Sequence, residues 1–286
     1  MTRETSVGII GIGLLGSAIV ERLRGANLNV VGFDLNESAR RALNELGGEA
    51  LDTPVDVVHR AKQIIVCLPN STISREVLQS LEQELQPGDL VIDVTTGHPD
   101  EMAALGQKMS ALNVGYLDAT VGGSSQQTRE GESIVMIGGA PEHVEQGSDI
   151  IATFSREQFH VGDCGAGARM KLVMNLVLGL NRAVLAEGLS FAERNGFDLE
   201  QTLKVLRASP ARSVMMDKKG DKMITQNYEP QARLAQHLKD VCLILDVGKQ
   251  GDMPLPLSEI HRQLLETSRA KGFGDADNSA VFEAYR

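Results

Sequence analysis

Up to Gly162 the chain alternates short apolar runs with segments whose apolar residues recur at helical spacing. Val7 to Ile10 reads as a strand, and the apolar run ending at Asp34 reads as a second, with an amphipathic helix after each. "AKQIIVCLP" is a buried strand ending at Leu68-Pro69, "TISREVLQSLEQEL" an amphipathic helix and "GDLVIDVTT" another strand. A helix from Pro99 to Leu112 precedes the strand "VGYLDAT"; then come "SIVMIGG", a helix from Pro141 to Thr153, and "QFHVG". This alternation predicts an α/β Rossmann domain with a doubly wound, mostly parallel sheet.

After "GDCGAGA" the strand signals stop. One helical pattern runs from Ala166 to Asn195, about 45 Å at 1.5 Å per residue. It is apolar on most faces up to Ala192, so burial on several sides is expected, within an all-α domain packed against a neighbour or a second subunit. Further helices follow in "LEQTLKVLRA", "PQARLAQHLKDVCLILDVGKQ" and "PLSEIHRQLLETSRAKG". The predicted boundary lies in Gly162 to Gly167, giving a dinucleotide-binding domain of residues 1–163 and an all-α domain of residues 164–286 for substrate and oligomerisation.

The first strand–helix turn carries the clearest chemistry. Gly11-Ile12-Gly13-Leu14-Leu15-Gly16 has the spacing of a dinucleotide loop. Gly11 allows the tight turn, Gly13 a close approach to a pyrophosphate, and Gly16 close packing of helix on strand; the helix N-terminus offers N–H groups to phosphate. Asp34, at the end of the second strand, can accept from both ribose hydroxyls and would repel a 2′-phosphate, which favours NAD over NADP. An export signal would need a small-residue cleavage site here, whereas a second strand and helix follow. Ligands sit at the carboxyl ends of such strands, which places Leu68, Pro69, Asn70, Thr95 and Thr96 around the cofactor crevice; turn capping is the other use for the threonines.

In the second half, Lys171 interrupts the long apolar helix and Asn175 shares its face one turn later. Either the lysine stem lies on apolar surface with its ammonium in water, or the group is an acid/base. Lys239 and Asp240 are adjacent, so an ion pair is not expected and a solvated helix end is one reading. The formal charge of −10, the absence of Trp and the lack of a basic run argue against nucleic-acid binding. Three separated cysteines suit a reducing cytoplasm, and neither His nor acidic residues show metal-ligand spacing. No uninterrupted apolar run approaches the roughly 20 residues of a membrane helix, so no membrane partner is expected.

With these residues placed, the chain resembles the β-hydroxyacid dehydrogenase family, which includes 3-hydroxyisobutyrate dehydrogenase and tartronate semialdehyde reductase. Four ordered blocks carry the resemblance: "GIIGIGLLG"; "DATVGGSSQQTREG" against D-A-P-V-S-G-G-x-x-x-A-x-x-G; "GAGARMKLVMN" against G-x-G-x-x-x-K-x-x-N-N; and "LKDVCLIL" with the closing "GFGDADNSAV". The resemblance implies a Rossmann domain followed by an all-α domain with the active site between them. It implies NAD-dependent hydride transfer between a small β-hydroxy acid, or related anionic alcohol, and its semialdehyde. By position Lys171 is the catalytic lysine, Asn175 helps hold substrate, Lys239 reaches towards the cofactor and Asp240 is the acid beside it. Leu68, Pro69 and Thr96 match cofactor-contacting positions. The second block departs from the pattern, with Thr120 for the proline, Gly122 for the serine and Ser124 for the second glycine. Gly122 and Gly123 are then expected to offer N–H groups to a substrate carboxylate, with Ser124 or Ser125 supplying a hydroxyl. A homodimer or homotetramer is expected. The alternatives are an imine-reductase-like enzyme, against which Lys171 argues, and a non-catalytic NAD(H)-binding regulatory protein.

Overall fold

The computed structural model describes residues 6–286; residues 1–5, Arg3 among them, lie outside the described residues. Strands β1 (Ser6–Ile10), β2 (Asn29–Phe33), β3 (Glu49–Ala50), β4 (Gln63–Val66), β5 (Leu90–Asp93), β6 (Gly115–Gly122), β7 (Ile134–Gly138) and β8 (Glu157–Gly162) form one sheet in the order β3-β2-β1-β4-β5-β6-β7-β8. All neighbours are parallel except β6 and β7. The reversal follows from chain length: Gly123 to Ser133 is shorter than the dozen or so residues a parallel crossover needs. The mostly parallel sheet is thus as expected.

Helices α1 (Leu14–Gly25), α2 (Glu37–Glu45), α3 (Pro54–Arg60), α4 (Ser71–Ser80), α5 (Pro99–Ala111), α6 (Ser125–Glu130) and α7 (Pro141–Phe154) alternate with the strands. Successive strand residues feed opposite faces: Ile9, Ile65 and Ile92 pack with Ile19, Leu23 and Phe154, whereas Ile10, Ile64 and Val91 pack with Val57, Leu78 and Met102. Continuous apolar strands are what a sheet covered on both faces requires. Thr53 starts α3 with a capping box to Asp56 and Pro54 in the first turn, which is why the helix begins there.

The chain divides into compact units of residues 1–171 and 172–286. The division falls eight residues beyond the predicted 163/164 boundary, inside α8 (Ala166–Arg194), because the first turn of α8 is bonded to the sheet. The second unit continues through α9 (Leu199–Ala208), α10 (Val214–Thr225), α11 (Leu234–Gln250) and α12 (Pro256–Ser268) to a 3-10 turn at Asn278–Tyr285. Its core joins Leu185, Leu189, Met223, Leu238, Val241 and Phe282.

The structure buries α8 on several sides and leaves Val173, Val177, Val184 and Phe191 exposed along one stripe. The expectation drawn from its uninterrupted apolar length is corrected. By length and composition α8 is apolar enough to cross a membrane, although Asn175, Asn181 and Arg182 interrupt the run. The buried polar face, with Asn175 and Arg182, is that of a core helix.

A charged cluster lies inside the second unit. Asp277 is fully buried and accepts from Lys219 Nζ at 2.8 and 2.9 Å, Gln231 N at 3.0 Å, and Ser279 N and Oγ. Its acceptor capacity is used, so the buried Arg182 guanidinium has no partner for Nε and Nη2. Burial lowers the Arg182 pKa to about 10, partly offset by Asp277. Burial, then Arg182, lowers His261 to about 4, so His261 is neutral in the folded chain at neutral pH.

Two outcomes follow in denaturant melts. Lys219→Met leaves Asp277 buried without its cation and is expected to cost about 3–5 kcal/mol, while Arg182→Met, which removes orphaned donors, leaves stability unchanged or raises it. The His261 pKa is depressed on folding, so its contribution is complete above about pH 6.5 and is lost as pH falls towards about 4. The stability of wild type relative to His261→Leu is therefore expected to fall by up to about 3 kcal/mol as pH drops across that window.

Candidate active site

The loop after β1 divides its glycines by task. Gly11 has φ of 95°, and a Cβ there would lie 2.2 Å from the Cys67 carbonyl oxygen. A Cβ on Gly16 would lie 2.2 Å from the Gly11 carbonyl oxygen. Both positions demand glycine so that loop, β4 and α1 can touch. At Gly13, by contrast, a Cβ would meet nothing within 4 Å. Gly13 is also the N-cap of α1, without a side-chain cap, and the first turn Leu14-Leu15-Gly16 has no acid. Open space before uncapped helix amides fits a pyrophosphate. Ile12 N donates to Asp34 Oδ2 at 2.7 Å, and Asn36 N to Oδ1 at 2.7 Å. The carboxylate expected at the ribose is therefore oriented by the loop itself, and Arg40 Nη1 donates to the Asp34 carbonyl oxygen at 2.6 Å.

The neighbouring strand ends are tied together below this loop. Leu68 N and Ser74 Oγ donate to Thr95 Oγ1 at 3.0 and 3.1 Å. Thr95 N and Tyr116 Oη donate to the two oxygens of Asp93 at 2.9 and 3.1 Å. Burial pushes Asp93 up to about 6, against the pull of those bonds. Thr95 thus has the turn role, as does Asn70, which caps α4 by accepting from Ile73 N. Thr96 and Leu68 are half-buried and Pro69 exposed at these strand ends.

Lys171 is buried, and its Nζ donates to the Val121 carbonyl oxygen at 2.6 Å. Its ammonium is bonded to the strand, so the snorkelling alternative does not hold. Val121 leads directly into Gly122 and Gly123, with Ser124 as the N-cap of α6. Ser124 Oγ accepts from Gln127 N at 3.2 Å while Gln127 Oε1 accepts from Ser124 N at 3.2 Å. A capping box therefore engages the serine expected to bind substrate. Sequence reasoning missed Asp118 and Thr120 of the same strand. Asp118 accepts from Gly165 N at 2.9 Å and Ala168 N at 2.7 Å, and Thr120 Oγ1 donates to the Gly167 carbonyl oxygen at 3.0 Å. The only signal was an acid and a hydroxyl two apart, on one face of a strand.

In the second unit Asn175 Nδ2 donates to Asp240 Oδ2 at 3.1 Å, both side chains being buried. Lys239 Nζ lies 3.4 Å from Asp240 Oδ1. This corrects the expectation of no ion pair: adjacent helical residues do diverge, but the four-carbon lysine stem folds back around the helix. Among the described residues no group of three His, Cys, Asp or Glu is placed to hold a metal.

Residues 6–162 match the family model for the NAD binding domain of 6-phosphogluconate dehydrogenase, and residues 165–285 that for NAD-binding of NADP-dependent 3-hydroxyisobutyrate dehydrogenase. The chain belongs to the β-hydroxyacid dehydrogenase family. A 2-(hydroxymethyl)glutarate dehydrogenase of Eubacterium barkeri is 28% identical, over 100% of this chain and 96% of that protein. The cytokine-like nuclear factor N-PAC of Drosophila melanogaster is also 28% identical over 98% of this chain, which spans only 47% of that longer protein. Among solved structures, 3-hydroxyisobutyrate dehydrogenase from Salmonella typhimurium has a TM-score of 0.89 and 25% identity, covering 98% of this chain and 99% of its own. The β-hydroxyacid dehydrogenase fold thus extends over both units.

The glycine geometry separates folding from binding. Gly16→Ala forces a Cβ into backbone and is expected to lower both the melting temperature and NADH affinity. Gly13→Ala adds its Cβ to open space, so the melting temperature should stay put while the affinity for reduced nicotinamide dinucleotide (NADH and NADPH both titrated by fluorescence) falls about tenfold or more, some 1.4 kcal/mol.

Proposed function

We propose that this chain is an NAD-dependent oxidoreductase that interconverts a small β-hydroxy acid, or a related anionic alcohol, and its semialdehyde, with Lys171 as the general acid/base. The observation that carries this reading is the buried Lys171 ammonium on the Val121 carbonyl oxygen, where β6 enters Gly122 and Gly123. NAD, when bound, would supply the hydride acceptor for oxidation of the hydroxyl-bearing carbon and the hydride donor for the reverse reaction. Gly11, Ile12, Gly13, Leu14, Leu15 and Gly16 cradle the pyrophosphate, and Asp34 takes the ribose hydroxyls. Leu68, Pro69, Thr96 and Lys239 are the further residues that would hold the cofactor. The Asp34 carboxylate, pinned by Ile12 N and Asn36 N, cannot turn away from a 2′-phosphate, and this supports NAD over NADP.

As the neutral amine, which still donates an N–H to Val121, Lys171 takes the hydroxyl proton onto its lone pair during oxidation; as the ammonium it delivers one to the carbonyl oxygen during reduction. An ammonium has three N–H donors, so it can rest one on Val121 while aiming another at substrate oxygen. Asn175 and Asp240 hold the hydroxyl end, and Gly122 and Gly123 present N–H groups to the anionic end. The Ser124 capping box restricts that hydroxyl to the edge of the grip. The exposed apolar stripe of α8 supports a homodimer or homotetramer, and the free Cys67, Cys164 and Cys242 support a cytoplasmic location.

A cofactor-binding role without turnover is the second reading, favoured by the likeness to a protein named as a nuclear factor. NADH consumption and formation, followed by absorbance over small hydroxy acids, their semialdehydes and sulfonate analogues, separates the two, with NADPH run in parallel. Lys171→Ala is expected to lower kcat by about 10²–10⁴-fold with NADH affinity unchanged. Turnover equal to wild type in that variant refutes the role of Lys171. NADH binding with no turnover on any compound favours the second reading.

A further inference from the structure

The first turn of α8 is bonded to β6 at successive levels. Asp118 caps it through Gly165 N and Ala168 N, Thr120 Oγ1 donates to the Gly167 carbonyl oxygen, and Val121 receives Lys171 Nζ. The two backbones are in direct contact: a Cβ on Gly167 would lie 2.2 Å from the Asp118 carbonyl oxygen, and one on Gly138 would lie 2.2 Å from Asp118 Oδ1. Asp118, Thr120 and Val121 are all buried.

Within an α-helix the Gly167 carbonyl is the acceptor for the amide four residues on, which belongs to Lys171. Thr120 therefore holds the carbonyl directly beneath the lysine, while the next strand residue holds the lysine's tip. A lysine stem has four rotatable carbons and loses about 2 kcal/mol of rotamer entropy when fixed, so its ammonium is placed accurately only if both ends are anchored. Where the family motif reads proline, this chain has a residue with a hydroxyl, and that hydroxyl is the one that reaches α8.

We propose that Thr120 is a positioning residue for Lys171: with Asp118 it fixes the rise and rotation of the first turn of α8 on β6, and so sets where the lysine ammonium can reach. The proposal rests on the reading of Lys171 as the proton-transfer group. Displacements of about 1 Å at a reacting group cost on the order of 10²-fold in rate, so the clamp acts on turnover more than on binding.

The test compares wild type with Thr120→Val, which keeps shape and loses the hydroxyl, and Thr120→Ser, which restores it. In Thr120→Val kcat is expected to fall about 10- to 100-fold with KM and NADH affinity within about twofold, and Thr120→Ser is expected to recover most of the loss. Amide hydrogen exchange over residues 168–171 should quicken about fivefold in Thr120→Val and return in Thr120→Ser, with α1 unaffected. Asp118→Asn, which loses one of the two acceptors, gives the same split by a second route if Thr120→Val does not fold. An unchanged kcat, a loss that Thr120→Ser does not repair, or a loss lying in KM and NADH affinity overturns the proposal. If wild type turns over no substrate, the functional reading fails alone: exchange at residues 168–171 still reports the clamp, and rates that do not respond to the Thr120 hydroxyl overturn it.

Discussion

One buried carboxylate meeting two backbone amides decides how the sheet takes hold of α8. Asp118 accepts from Gly165 and Ala168, satisfying helix N-terminal donors that would otherwise be buried without partners. Burial raises its pKa to about 6, with the two amide bonds pulling the other way, so at neutral pH it is an ionised cap on the positive end of the helix. The glycines at 138 and 167 exist to let this contact form, since neither has space for a Cβ. Everything β6 does afterwards, from the Val121 carbonyl under Lys171 to the Gly122-Gly123-Ser124 turn, starts from that anchored strand.

The dinucleotide end of the same sheet works by the opposite device. There the loop leaves helix amides uncapped and space open at Gly13, while Gly11 and Gly16 pack the loop against β4 and α1. Asp34 belongs to this arrangement because Ile12 N donates to it, so the strand-end carboxylate and the glycine loop are one hydrogen-bonded piece. Below them Asp93, Thr95 and Tyr116 tie β4, β5 and β6 together in the interior.

The second unit places its charges differently. Lys219 and Asp277 form a buried pair whose carboxylate is saturated, which leaves Arg182 with orphaned donors, while burial and then Arg182 keep His261 neutral. The Asn175–Asp240 bond and the Lys239–Asp240 pair form a separate polar group. Family membership spans both units, and the departures in the "DATVGGSS" block are concentrated where the strand meets α8 and where α6 begins.

The fold was legible in the sequence because its signals are local. Apolar strands covered on both faces, glycines at fixed spacing, and Asp34 at a strand end all report on neighbours within about 20 residues, the length of a βαβ step. Lys171 stood out for a related reason, a cation in an apolar helix. What depends on partners far along the chain was not legible. Asp118 and Gly165 are 47 residues apart, as are Thr120 and Gly167, and Lys171 and Val121 are 50 apart. No periodicity marks such pairs, so Thr120 read as a lost proline and the unit boundary as a glycine-rich turn. The sequence alone determined that a dinucleotide fold is followed by helices and that a lysine opens the long one. Tertiary structure decided that β6 holds the start of that helix, because only packing brings a carboxylate and a hydroxyl from one strand against backbone amides and a carbonyl from a distant turn.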